Sequence, residues 1–221
     1  MKSYQLEGVQ FLWRELTGDL HNAQGCLLAH TMGLGKTMQS IALLCAVDMA
    51  SQSPSVNIMR QLPEDLRLGD DDRGRRSLRF LVICPSSLIQ NWYRELQCWA
   101  QPNAFGGSIT CIDTAGSGSD YIRKLQSWSK KGGVLLIGYA IFSTLVNRQS
   151  KEISEENTLL AKKASKADVE LFNEHADTAR RILTQDAELI VADEAHSIKN
   201  PKTGTAIAAS KIRSTARIAL T

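Results

Sequence analysis

The sequence predicts one large α/β domain on a mainly parallel sheet flanked by helices, and three observations carry that expectation. Short apolar runs alternate with helix-prone segments along most of the 221 residues, the order that a parallel sheet with right-handed crossovers requires. The runs are apolar at consecutive positions, as in strands covered on both faces. The first run leads through a glycine-containing loop into a helix, a junction that suits a bound phosphate. A chain of this length has ample residues for a sizeable core.

In chain order, Leu6, Val9, Phe11, Leu12, Trp13 and Leu16 fall mostly on one helical face and predict an amphipathic helix ending near Gly18. Cys26–Ala29 reads as a strand, and a helix is expected from about Lys36 to Met49. Residues 51–77 hold Pro54, Pro63, the acidic run Asp70–Asp72 and the basic Arg73, Arg75 and Arg76. With nearly cancelling charge and weak periodicity, they read as a solvated, partly disordered loop, a binding role for its charges being the other reading. Strands follow at Leu78–Cys84, Ser108–Ile112, Val134–Ile137, Leu189–Ala192 and Arg217–Leu220, with helices at Ser87–Ala100 and Asp120–Lys130. Residues 148–185 are charged, helix-prone and free of proline, which suits a helical insertion between two strands or a mobile excursion.

Composition narrows the function classes. The apolar fraction is 43% and the charged fraction 22%, ordinary for a globular domain. A net charge of +3 is too small to imply a nucleic-acid partner, so that inference has to come from motifs. The five cysteines, Cys26, Cys45, Cys84, Cys98 and Cys111, are odd in number and lack the close spacing of a zinc or redox pair. Buried, reduced thiols are expected, as in cytosol or nucleus. The N-terminus lacks an apolar signal core. The uncharged run Gly132–Asn147 is shorter than the ~18 apolar residues of a membrane span and suits a buried strand and loop.

The strongest local signal is Ala29-His30-Thr31-Met32-Gly33-Leu34-Gly35-Lys36-Thr37. Between an expected strand and helix it reads as a phosphate-binding loop. Gly33 and Gly35 let backbone N–H groups approach phosphate oxygens, and the helix N-terminus adds its positive dipole end. Lys36 is placed to reach the β- and γ-phosphates, and Thr37 offers a hydroxyl to Mg²⁺. The usual pattern has glycine six residues before the lysine, where this chain has His30. The second signal is Leu189-Ile190-Val191-Ala192-Asp193-Glu194-Ala195-His196, an apolar strand delivering two carboxylates at its C-terminal end. Asp193 suits Mg²⁺, and Glu194 suits the orientation and deprotonation of an attacking water. His196 either couples this box to neighbouring segments or serves a structural role.

Gly33-Leu34-Gly35-Lys36-Thr37 and Asp193-Glu194-Ala195-His196 resemble motifs I and II of superfamily-two helicase-like ATPases. The flanking residues resemble the SWI/SNF-type chromatin-remodelling and DNA-translocase branch. Tyr4-Gln5-Leu6-Glu7-Gly8-Val9-Gln10-Phe11 is similar to that family's glutamine motif, which implies that Gln5 reads the adenine edge. Leu81–Leu88 with Asn91-Trp92 looks like motif Ia, Gly138-Tyr139 stands where motif Ib does, and Ser197-Ile198-Lys199-Asn200 is also typical. Ala29-His30-Thr31-Met32 and Val9-Gln10-Phe11 are similar to the ATRX-like or recombination-translocase branch. The likeness spans nearly the whole chain apart from 51–77 and 148–185. It implies a RecA-like lobe that binds ATP through Gln5 and Met32 to Thr37. It also implies Mg²⁺ at Thr37 and Asp193, chemistry by Lys36, Asp193 and Glu194, and a double-stranded DNA or chromatin partner in the nucleus.

The resemblance further implies DNA-backbone contact by Pro85, Ser86, Ser87 and Asn91, sequence-independent as phosphate contacts are. Ser86 or Ser87 as a helix cap is the other reading, and the two roles are compatible. Trp92 and Trp99 read as core residues rather than stacking platforms. Arg217–Thr221 looks like the start of motif III. By this likeness a second RecA-like lobe with its arginine finger lies outside the chain, and full turnover is expected only with it. Two rival functions stand beside this one: a nucleotide- or DNA-binding module without turnover, and an RNA helicase of superfamily two.

Overall fold

The structure is a computed structural model and describes residues 1–18, 25–29, 33–68, 77–113, 118–147 and 166–221. Met32, residues 69–76 of the expected loop and residues 148–165 of the expected insertion lie outside the described residues. Six strands form one sheet: β1 (Cys26–Leu28), β2 (Arg79–Cys84), β3 (Ile109–Ile112), β4 (Gly133–Gly138), β5 (Leu189–Ala192) and β6 (Ala216–Leu220). Their spatial order is β1-β6-β5-β2-β4-β3, and every neighbouring pair is parallel.

Strand side chains alternate between two cores. Phe80, Val82, Val134, Leu136, Leu189, Val191, Ile218 and Leu220 face one, while Leu81, Ile83, Leu135, Ile137 and Ile190 face the other. Both faces of β2, β4 and β5 are covered, so these central strands have no polar side, which is why they read as continuous apolar runs. The first face carries α1 (Ser3–Thr17), α2 (Lys36–Ser51) and α4 (Ile89–Trp99), through Leu12, Ile41, Leu44, Trp92 and Leu96. The second carries α5 (Gly118–Lys131), α6 (Tyr139–Asn147), α7 (Lys166–Arg181) and α8 (Gly204–Ser210), through Leu125, Trp128, Phe142, Ala179 and Ala208. Among the described residues no helix is long and apolar enough to cross a membrane.

Several segments differ from the sequence reading. Residues 52–68 keep an exposed surface, as expected, but are not loop throughout: a short helix α3 (Val56–Met59) and a 3₁₀ turn (Glu64–Leu66) bury Leu62 and Leu66 against the first core. The apolar residues Val56, Ile58, Met59, Leu62, Leu66 and Leu68 are interrupted by Pro63 and charged neighbours, which masked their period. The second half of Gly132–Asn147 is helix α6 rather than loop. Trp99, expected in the core, stands at the end of α4 with 56% of its surface exposed and bonds Glu95 one turn back. Cys98 is likewise exposed, although all five thiols are free. Residues 166–181 are helical and run into a π-helical turn, Ile182–Asp186, before β5.

The strand N-terminal edge is held by polar contacts as well as packing. Asp48, near the end of α2, accepts hydrogen bonds from Ser77 Oγ and from the Phe105 backbone N–H at 2.9 Å. Burial pushes its pKa up and those bonds pull it down. Gly132, between α5 and β4, has φ +79°, and a Cβ there would overlap the Ser77 carbonyl oxygen. Both the left-handed backbone and the contact require glycine. Gly132→Ala is expected to cost about 2–4 kcal/mol, read as a lower urea midpoint with an unchanged slope.

Candidate active site

The sheet topology brings the loop after β1 and the box after β5 to one edge. β1 and β5 both flank β6, with Leu28 opposite Leu220 and Ala192 opposite Ala219. Their C-terminal ends therefore lie two strand spacings apart, on the order of 10 Å, at the sheet edge where open α/β domains bind ligands.

The loop is shaped by backbone first. Gly33 and Gly35 have φ +84° and +77°. Gly35 is the N-cap of α2, so Lys36 and Thr37 are the first two residues of that helix, with its unsatisfied N–H groups beside them. A Cβ on Gly33 would meet nothing within 4 Å among the described residues, and Gly33 is exposed. Lys36 and Thr37 are half-buried.

Helix α1 abuts this loop. Gln5 Nε2 donates to the Leu34 carbonyl at 3.4 Å, and a Cβ on Gly35 would stand 2.7 Å from that amide. Gln39 Nε2, from α2, donates to the same carbonyl at 3.1 Å. Gln39 is fully buried, and its Oε1, with no hydrogen-bond partner, is pressed against Gly8, where any Cβ would overlap it. Flipping the amide would turn Oε1 onto the Leu34 oxygen, so the orientation is set by that bond. The expected Gln5 thus sits at the loop, and Gln39 and Gly8 are additions that the sequence reading missed. Glutamine inside an apolar helix and glycine inside α1 were the signals available.

The two carboxylates of the box occupy different environments. Asp193 is 7% exposed. Its Oδ2 accepts from Trp92 Nε1 at 2.8 Å, its Oδ1 from the Glu194 backbone N–H at 2.9 Å, and its carbonyl from the Tyr139 hydroxyl at 2.8 Å. Glu194 takes the left-handed conformation, φ 50°, which turns the chain out of β5; a non-glycine residue there costs about 1–3 kcal/mol. Its carboxylate is partly exposed, 3.3 Å from His196 Nδ1. The Tyr139 hydroxyl and the Cys84 thiol are both pushed up, first by burial and then by the charge of Asp193, the thiol to about 12.

Ser86, Ser87 and Asn91 are exposed and Pro85 is half-buried, at the turn between β2 and α4. No side chain caps either the 3₁₀ turn Ser86–Leu88 or α4, so the capping reading of the two serines is not what the structure contains. A Cβ on Gly138 would overlap Ser86 Oγ, which brings the Gly138-Tyr139 pair beside the β2–α4 turn.

With this geometry in place, the sequence matches the SNF2-related domain family over residues 4–221. The chain belongs to the SNF2-related domain family. It is 29% identical to the Transcriptional regulator ATRX homolog of Drosophila melanogaster and 28% identical to Protein CHROMATIN REMODELING 20 of Arabidopsis thaliana. Both alignments cover 100% of this chain, which spans 14% and 12% of those relatives. In three dimensions the SNF2-related domain is similar to the Sulfolobus solfataricus SWI2/SNF2 ATPase core in complex with dsDNA. The TM-score is 0.52 at 22% identity, over 100% of this chain and 31% of that one. The all-parallel sheet with helices on both sides thus has the α/β fold of that core.

Within the SNF2-related domain, Trp92 and Tyr139 hold Asp193 from opposite faces of the sheet. The sequence reading had Trp92 as core, which it is, and missed its bond; a buried indole N–H requires an acceptor. Tyr139→Phe would leave the Asp193 carbonyl without its hydroxyl donor. An expected loss of about 1–3 kcal/mol would be read as a lower urea midpoint.

Proposed function

We propose that this chain is the ATP-binding and ATP-hydrolysing lobe of a double-stranded-DNA-dependent translocase of the chromatin-remodelling type, working in the nucleus. The observation that carries the reading is the convergence of Lys36–Thr37 and Asp193–Glu194 on one sheet edge, across β6. The DNA partner is supported by the S. solfataricus core, solved in complex with dsDNA, and by the exposed Ser86, Ser87 and Asn91. The names of the two relatives support the chromatin and nuclear assignments.

In this reading the N–H groups of Gly33 to Lys36 cradle the phosphates, and the Lys36 ammonium sits against the β- and γ-phosphates. Gln5, and Met32 by resemblance, line the base. Among the described residues no group of three or more His, Cys, Asp or Glu side chains converges. The donor set is thus one carboxylate, Asp193, with one hydroxyl, Thr37, which fits Mg²⁺, an ion held by one or two carboxylates together with phosphate and water. When bound, Mg²⁺ supplies charge neutralisation of the phosphate oxygens. Glu194, outside the buried pocket that holds Asp193, accepts the proton of the attacking water. The chain spans 31% of the S. solfataricus core, and a second RecA-like lobe with an arginine finger is part of the proposal.

The test is ATP hydrolysis with and without duplex DNA, by the chain alone and joined to a second lobe. Duplex DNA is expected to stimulate the two-lobed form, and RNA duplex is expected not to. Lys36→Ala is expected to weaken binding of a fluorescent ATP analogue. Glu194→Gln is expected to keep that binding and lower turnover by about 10²–10⁴-fold. Nucleotide binding without hydrolysis in every form would replace this reading with a binding module, and stimulation by RNA alone with an RNA helicase.

A further inference from the structure

The Asp193 carboxylate is buried, and a buried carboxylate must be hydrogen-bonded. Two donors serve it. One is the Glu194 N–H, part of the chain's own turn; the other is the Trp92 indole N–H, 2.8 Å away from a side chain 101 residues earlier. Trp92 is fully buried on the inner side of α4, among residues of the first core. Packing therefore holds the ring on both sides, and the N–H has little freedom to point elsewhere. The exposed Asn91 precedes it, and the Ser86–Leu88 turn opens the helix.

The chemistry of the donor matters as much as its position. An indole offers one N–H and accepts nothing, so it can serve only an acceptor such as this carboxylate. It is also neutral. A lysine or arginine in its place would hold the carboxylate equally well but cancel its charge, whereas an indole fixes the rotamer and leaves the full negative charge for a cation. A carboxylate has about four lone-pair sites; the indole and the Glu194 N–H take one each, on different oxygens. The remaining lone pairs stay available to a cation or its water.

We infer that Trp92 is a positioning residue for the cation-holding carboxylate: its indole N–H sets the orientation of Asp193 from the helix that begins at the candidate nucleic-acid contacts. The inference rests on the proposed role of Asp193 toward Mg²⁺. Its content is that Trp92 acts through the N–H and not only through volume.

An isosteric replacement separates the two. Trp92 is replaced by 3-benzothienylalanine, which keeps the bicyclic shape and puts sulfur where the N–H was, and by phenylalanine in parallel. Binding of a fluorescent ATP analogue to the full chain is titrated with Mg²⁺ and repeated in EDTA, and thermal unfolding is recorded in EDTA. The isostere is expected to melt about 3–12 °C below the parent, as the loss of one hydrogen bond to a buried carboxylate predicts, and to bind nucleotide in EDTA as the parent does. Its half-saturating Mg²⁺ concentration should rise about 10–100-fold. An unchanged Mg²⁺ requirement would overturn the inference, as would an equal loss of binding in EDTA, which would reveal a packing role alone. Asp193→Asn separates this failure from that of the site itself. If Asp193→Asn raises the Mg²⁺ requirement and the isostere does not, only the role of Trp92 falls. If Asp193→Asn also leaves the requirement unchanged, Asp193 does not hold the cation and both readings fall.

Discussion

A parallel sheet whose central strands are buried on both faces leaves polar chemistry little place except the strand ends, and this constraint organises the rest of the molecule. Every strand of the six is parallel to its neighbours, so every turn leaving a C-terminal strand end opens onto the same side. The glycine-containing loop follows β1, the serine turn leaves β2, Gly138-Tyr139 ends β4 and begins α6, and the acidic box leaves β5. Segments separated by more than 150 residues become neighbours without any long-range polar contact having to select them. The hydrophobic terms that bury Val82, Val191 and Ile218 on one face and Ile83, Ile137 and Ile190 on the other are also what brings these segments together.

Among the described residues of that edge, the backbone takes positive φ at Gly33, Gly35 and Glu194. Gly33 and Gly35 take positive φ at little cost because they lack a Cβ. Glu194 takes it with a side chain attached and is held there by the Asp193 carboxylate on its own N–H and by a Ser197 N–H on its carbonyl, at 3.0 Å. Two glutamine amides on the Leu34 carbonyl restrain the end of the glycine loop in a similar way. The loop is thus held by neutral amides, and the turn of the box by the Asp193 carboxylate together with a backbone N–H.

What was legible in the sequence follows the same physics. Strands buried on both faces announce themselves as apolar runs, and a Gly-Lys-Thr loop ending at a helix start needs only local sequence to be seen. The cross-chain supports were not legible in that way. The Trp92 bond to Asp193 joins residues 101 apart in sequence, and no local pattern distinguishes an indole that packs from one that packs and donates. Gly8 seats Gln39, yet in sequence it is only a glycine in a helix. Trp99 misled for the opposite reason: hydrophobicity argued for burial, while its place at the end of α4 left it outside. Residues 51–68 carry two buried core anchors, Leu62 and Leu66, whose period is broken by Pro63 and the charges around it.

The division of labour between two adjacent carboxylates follows from the turn between them. Had the chain continued straight, successive side chains would point to opposite faces of the sheet, and Glu194 would enter the second core. The left-handed turn at Glu194 prevents this. Asp193 stays inside, with Trp92 and Tyr139 bonded to it from the two layers, while Glu194 swings outward beside the exposed imidazole of His196. A metal-holding group benefits from immobility, since reorganising a ligand costs free energy at the moment of binding. A base benefits from access to the water it activates. One strained residue, placed where the strand leaves the sheet, separates a buried, hydrogen-bonded carboxylate from a solvent-facing one, and so suits the two to different roles although they are covalent neighbours.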